Sequence, residues 1–206
     1  MAAHTIYENY ITRCHTKLDI NEHLPTLCEY ASQCDSVAEF GVRGVVSTWA
    51  FLAGLTARNS ESKRLITVDI DPVPMMGRVA AIAQKVGIQL EFQHINSIHA
   101  VLEPGVDMLF IDTWHIYGHL KRELAAHHAK VRKYIIMHDT TVDEIYGESI
   151  REGRDMVAES ATTGYPVEDI SRGLSFAISE FLAEHPEWVV EAVYTNNNGL
   201  TILRRR

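Results

Sequence analysis

The chain has few of the residues that staple or punctuate small extracellular folds: three cysteines, three tryptophans and six prolines in 206 residues. Cys14, Cys28 and Cys34 are odd in number, lack metal-type spacing and lie early in the chain. That arrangement excludes a disulfide framework and fits free thiols in a reducing compartment. No apolar run reaches the ~18 residues of a membrane span, and the N-terminus MAAHTIYENYITRCHTKLDINEH breaks any signal-peptide core with charges and histidines. A cytoplasmic protein without a membrane partner is expected. Positive charge is also scarce: 19 Lys and Arg stand against 27 Asp and Glu, for a net charge of −8. Phosphate backbones are held by fields of Lys and Arg, so nucleic acid is not expected as a partner. What remains is a chain with 46% hydrophobic residues, enough to fill the core of one domain with a short extension.

Apolar segments alternate in type along that domain. Residues 21–33 place Leu24, Leu27, Cys28 and Ala31 on one helical face. SVAEF (36–40) reads as a short buried strand, and GVVSTWAFLAGLTAR (44–58) as a helix apolar almost all round, suited to a place between a sheet and a second layer. RLITVDID (64–71), IQLEFQHI (88–95), VDMLFID (106–112) and KYIIMHD (133–139) are further strands, separated by helical stretches. Parallel strands need crossovers, and the crossovers bury both faces, so the alternation implies a doubly wound α/β sheet. The end of the chain departs from this pattern: EWVVEAVYT and GLTILRR are strands joined by NNNG, and Asn-Gly is a hairpin signal. Residues 141–172 are rich in charge and turn formers, and are expected to cover the site as a lid.

Candidate site residues cluster at the strand ends, where open α/β sheets bind ligands. EFGVRG supplies Gly41 and Gly44 in the first strand-to-helix turn, directly after Glu39. A dinucleotide site would set a pyrophosphate on the helix N-terminus and would want a third glycine, and Glu39 opposes such an anion. Asp69 ends the second strand, where an acidic residue can accept both hydroxyls of a ribose. Asp71, before Pro72, reads as a helix cap. Asn96 either pairs with an amino group or forms a turn. Asp112 and His115 follow the fourth strand, and His138 and Asp139 the fifth. Trp114 either walls this pocket or packs in the core. His119, His127 and His128 read as surface or structural residues of a helix.

A parallel five-stranded core with a glycine turn after its first strand and a terminal antiparallel hairpin resembles the class I S-adenosylmethionine-dependent methyltransferases. The likeness covers residues 36–206, with 1–35 as a helical extension. It implies a Rossmann-like, seven-stranded, mostly parallel sheet with helices on both faces. It also implies S-adenosylmethionine as cofactor, with Glu39 near the ammonium and sulfonium, Gly41, Arg43 and Gly44 along the turn, Asp69 and Ile70 at the ribose, Asn96 and Ser97 at the adenine edge, and Asp112 close by. IDTWH and IIMHD are further similar to the metal-dependent O-methyltransferases of sugar and macrolide tailoring and their cephalosporin-hydroxylase-like relatives. That resemblance implies a divalent ion, Mg²⁺ or Mn²⁺, on Asp112, His138 and Asp139, and His115 as the base. His138 stands where the family has an acid, so the site either shifts toward Mn²⁺ or Fe²⁺ or binds no metal.

The expected partner is a small-molecule hydroxyl acceptor, with homo-oligomers compatible with the fold. A nicotinamide-dependent oxidoreductase and a catalytically silent nucleoside-binding domain are the alternatives.

Overall fold

A computed structural model describes residues 1–206. Two helices, α1 (Ala2–His15) and α2 (Leu24–Ser32), precede β1 (Ser36–Phe40) and α3 (Ser47–Ala57). There follow β2 (Lys63–Asp69), α4 (Met76–Gln84), β3 (Ile88–His94), β4 (Val106–Ile111), α5 (Tyr117–His127) and β5 (Val131–His138). Short helices α6 (Glu148–Arg151), α7 (Met156–Thr163) and α8 (Val167–Ser171) lead to α9 (Leu174–Glu184), then β6 (Trp188–Tyr194) and β7 (Leu200–Arg205). The strands form one sheet in the order β3-β2-β1-β4-β5-β7-β6. The first five are parallel, and β7 runs antiparallel between β5 and β6. The strand order therefore reverses at β1 and β4, whose carboxyl ends open the crevice expected of such a sheet.

Side-chain alternation along the strands divides the core into two layers. Val37, Leu65, Met108, Phe110, Ile136 and Ile202 face α1 to α4, while Phe40, Val68, Leu109, Ile111, Ile135 and Leu203 face α5 and α9. Helix α3 is buried almost all round because α2 covers its outer face; a side chain at Gly54 would strike the Cys28 carbonyl at 2.4 Å. Residues 1–35 thus belong to the same core as the sheet, through Ile6, Ile20, Leu24 and Leu27. No helix is long and apolar enough to cross a membrane, and the three cysteines are free.

Helix α3 starts at Ser47, three residues later than its apolar run suggests, because residues 41–45 are wound into a tight turn. Gly41 has φ +85°, and Arg43 and Val45 also take positive φ, of 40° and 57°. For a β-branched residue such as Val45 this is strained backbone, of the kind held only where its surroundings fix it. The hairpin turn likewise carries positive φ at Asn197, Asn198 and Gly199, as its Asn-Gly sequence leads one to expect.

Candidate active site

A cavity of about 1100 Å³ opens at the carboxyl ends of the parallel strands. Its floor is the turn from Gly41 to Ser47, and its sides come from Asp69–Val73 after β2, Asn96–His99 after β3 and Asp112–His115 after β4. Asp139, Glu148, Thr163–Tyr165 and the N-terminal Leu18–Ile20 complete it. The sequence-predicted Gly41, Arg43, Gly44, Asp69, Ile70, Asn96, Ser97, Asp112, His115 and Asp139 all line this one space.

Glu39 does not. It is fully buried beneath the turn, where it accepts hydrogen bonds from Ser47 Oγ at 2.5 Å and Thr48 Oγ1 at 2.7 Å. Residue 39 shares its sheet face with Val37, so its carboxyl points under α3 and away from the cavity. Burial raises its pKa to about 8 despite the two hydroxyl donors. The expectation that Glu39 meets a cofactor ammonium is therefore corrected: it is a proton-carrying core residue under the first turn of α3.

The two glycines have different reasons to be glycine. A Cβ at Gly41 would lie 1.9 Å from the carbonyl oxygen of Asp112, so the residue lets the β1 turn pass under the β4 loop. Gly41 lines the cavity, but it is this backbone crossing that requires it to be glycine. At Gly44 a Cβ would meet only Val46 Cγ2, at 3.7 Å, and the space above it is cavity. Asp69 fixes the same turn: its Oδ2 accepts from the Val42 and Arg43 amides at 2.8 Å each, and its Oδ1 from the Asp71 amide at 2.9 Å. A carboxylate has about four acceptor positions, so capacity for a further donor remains. Asp71 itself is exposed and makes no cap.

On the other side, Asn96 Oδ1 caps the short turn Ser97–His99 through the Ile98 amide at 3.0 Å. Ser97 Oγ donates to the buried Glu123 at 2.6 Å, and Thr113 Oγ1 does so at 2.9 Å. Glu123 thereby ties the loops after β3 and β4 to α5. His119 and His127, expected on a helix surface or in a structural role, are buried: His127 Nε2 meets the Ser97 carbonyl at 2.8 Å, and His119 Nδ1 meets Tyr165 Oη at 3.0 Å. Trp114, at the cavity wall, lies 5.6 Å from the Tyr165 ring between centroids.

The deepest chemistry surrounds His115. Its Nε2 is 3.2 Å from Asp112 Oδ1, and its Nδ1 is 3.1 Å from Asp139 Oδ2 and 3.4 Å from Asp143 Oδ2, with Glu148 Oε2 at 3.7 Å. His138 Nδ1 meets Asp112 Oδ1 at 3.2 Å, and its Nε2 meets the Asn197 carbonyl of the hairpin turn at 3.1 Å. Burial opposes charge on both rings, but the hydrogen bonds and charges of the acids prevail. They hold His115 well above its ordinary pKa and push His138 up to about 10. Asp112 sits below the usual carboxylate range because the bonds from His115 and His138 outweigh its burial. The outer acids have their own partners, Arg151 forking onto Asp143 at 2.7 and 3.1 Å and Arg154 binding Glu148 at 2.8 Å. These contacts favour the charged imidazolium form of His115, which has no lone pair to accept a proton.

Two overlapping sets, Asp112–His138–Asp139 and His115–Asp139–Asp143, each bring their donor atoms within 4.8 Å of one another, as a metal ion requires. Asp139 sits at φ +58° with Oδ1 buried and without a hydrogen-bond partner, an orphan acceptor that a cation would satisfy. With Nε2–H directed at Asn197, Nδ1 is the His138 atom that faces the acids. The donor set therefore fits a divalent ion that accepts nitrogen as well as oxygen. Asp143, Glu148 and the bracing Asn197 escaped the sequence reading, because isolated acids in a charged segment and an Asn in a turn look like ordinary surface residues. Segment 141–172 is helical in three places and folds over the cavity, with Asp143 and Ile170 fully buried.

No protein-family model matches the sequence, and no curated protein sequence does. Solved structures are similar. A Podospora anserina methyltransferase bound to S-adenosylhomocysteine is 15% identical over 100% of this chain and 88% of its own, with a TM-score of 0.58. The Burkholderia thailandensis 1,6-didemethyltoxoflavin-N1-methyltransferase, with its namesake ligand and S-adenosylhomocysteine, gives 12%, 98%, 86% and 0.57. An O-methyltransferase of tomaymycin synthesis from Streptomyces achromogenes, bound to S-adenosylmethionine, gives 12%, 99%, 89% and 0.56. The fold is that of the class I methyltransferases. At such identities the likeness fixes the architecture of this methyltransferase-like chain, and its chemistry has to be argued from its own side chains.

Proposed function

We propose that this chain transfers the methyl group of S-adenosylmethionine to a hydroxyl of a small molecule, with a divalent ion and His115 at the acceptor. The observation that carries the reading is the continuity of one cavity from the turn held by Asp69 to the cluster of Asp112, His115 and Asp139. Gly44, Asp69, Ile70, Asn96, Ser97 and Trp114 would hold the nucleoside-bearing cofactor, and Asp112, His138 and Asp139 the ion. S-adenosylmethionine supplies an electrophilic methyl group on sulfur, and the ion supplies positive charge beside the acceptor oxygen.

The chain's own task is alignment and proton removal. A cation on the acids would relieve His115 of the charge that now keeps it protonated, since the same carboxylates raise its pKa. Neutral His115 could then take the hydroxyl proton at Nε2 or Nδ1, and Glu148, which accepts from the His115 backbone amide at 3.2 Å, would keep the residue in place. Mn²⁺ or Fe²⁺ suits the mixed donor set better than Mg²⁺, which strongly prefers oxygen.

The test is incubation with methyl-labelled S-adenosylmethionine and a panel of hydroxylated small molecules, with Mn²⁺, Mg²⁺ or chelator. Metal-dependent labelling that falls roughly 10² to 10⁴-fold in His115→Ala supports the proposal. Labelling of amines alone overturns the hydroxyl assignment. Undiminished turnover in chelator removes the ion, and cofactor binding without transfer to any acceptor would mark a silent binding domain.

A further inference from the structure

A second group of metal-type ligands lies at the opposite, amino end of the parallel strands. His128 opens the turn that ends α5, His185 closes α9, and Glu187 immediately precedes β6. We propose that His128, His185 and Glu187 form a transition-metal site, for Zn²⁺ or a similar ion, that clamps the ends of α5 and α9 to the start of β6. One donor atom from each residue lies within 4.8 Å of the other two. None of the three lines the large cavity, so the site is separate from the candidate active site.

Several observations favour a ligand here over simple packing. The two imidazole rings stand 4.0 Å apart between centroids, and Nδ1 of His128 is buried with no hydrogen-bond partner. His185 Nδ1 and Glu187 Oε1 approach to 3.5 Å, a span too long for a good hydrogen bond and open to an ion between them. Phe181 packs on both rings, at 5.5 Å from His128 and 4.7 Å from His185, and limits their rotation. The backbone is fixed as well, with the Trp188 amide on the His185 carbonyl at 3.0 Å and the Arg206 amide on the Glu187 carbonyl at 2.8 Å. Burial, and then the neighbouring His185, lower the His128 pKa, which favours the neutral imidazole that a metal binds. Two nitrogens and one carboxylate oxygen, partly open to solvent, leave a fourth tetrahedral position for water, which is a donor set for Zn²⁺ and not for Mg²⁺ or Ca²⁺.

The experiment is titration of the full chain with Zn²⁺, followed by calorimetry and by melting temperature, with Co²⁺ absorption as a probe of tetrahedral nitrogen ligation. All three side chains are partly exposed, so His185→Ala and Glu187→Gln should fold; circular dichroism checks this. Zn²⁺ should raise the wild-type Tm, because it binds the folded chain. Asp139→Asn, which disables the candidate ion site of the cavity, should keep a Zn²⁺-induced rise in Tm, and adding His185→Ala or Glu187→Gln to it should abolish that rise. Each of the two substitutions should weaken Zn²⁺ binding at this second site by at least roughly 10 to 100-fold. Equal Zn²⁺ affinity in wild type, His185→Ala and Glu187→Gln would overturn the proposal, as would a Zn²⁺ response abolished by Asp139→Asn alone.

Discussion

Replacing Glu39 with Gln should make the protein's stability less sensitive to pH while leaving its ligand site intact. The carboxyl is fully buried and its pKa is raised from 4.5 to about 8, so it is protonated in the folded chain at neutral pH and ionised in the unfolded one. A group of this kind contributes stability that is fully present below pH 4.5 and is lost as pH rises through about 8. At about 1.4 kcal/mol per pH unit, the interval corresponds to at most roughly 5 kcal/mol. Gln is nearly isosteric, can accept from one of the Ser47 and Thr48 hydroxyls while its amide nitrogen donates to the other, and does not ionise. Urea denaturation of both proteins at several values between about pH 5 and about pH 9 gives the difference directly. The variant should gain on the wild type by several kcal/mol across that range. Parallel stability curves would refute the buried, protonated state of Glu39. The same variant should bind S-adenosylhomocysteine within about threefold of wild type, ~0.7 kcal/mol, because the carboxyl does not reach the cavity.

Gly41→Ala should destabilise the fold by several kcal/mol through the 1.9 Å clash with the Asp112 carbonyl, whereas Gly44→Val should melt near the wild-type temperature and lose cofactor binding; thermal melts alongside calorimetry separate the two. Asp69→Ala removes the acceptor of the Val42 and Arg43 amides and should weaken S-adenosylhomocysteine binding by about 1.5 to 3 kcal/mol. An unchanged affinity would detach Asp69 from the site. Asp143→Asn removes the buried carboxylate on which Arg151, itself 38% exposed, forks, and should cost about 1.5 to 3 kcal/mol in chemical denaturation, in contrast to a near-silent change at the exposed Glu61.

The sheet was legible because its signals are local and repeated. Four apolar strands and the half-exposed β3, alternating with helices except between β3 and β4, where only the turn Ser97–His99 intervenes, lead with the Asn-Gly hairpin to this topology, and SVAEF matches β1 residue for residue. Strand ends also mark the crevice, so Asp69, Asp112, His115 and Asp139 could be grouped before their geometry was seen. Orientation was harder to read. The side to which Glu39 points follows from the parity of β1 and from the hydroxyls of Ser47 and Thr48, which lie in the next element. Gly41 is required by the Asp112 backbone, 71 residues away in sequence, and no local pattern records such a crossing. Asp143 and Glu148 belong to a segment without hydrophobic periodicity, and only its fold over the cavity turns surface-like acids into neighbours of His115. The charge favoured on His115 likewise depends on acids from the two segments after β4 and β5, beyond what its spacing from Asp112 can tell.

The central claim is that the cavity binds S-adenosylmethionine or its product, and calorimetric titration of S-adenosylhomocysteine into the full chain at neutral pH tests it most directly. One site per chain is expected, with a dissociation constant in the micromolar range, about −8 kcal/mol, abolished by Gly44→Val and weakened by Asp69→Ala. Absence of binding at millimolar ligand, or equal affinity in wild type and Gly44→Val, would contradict it.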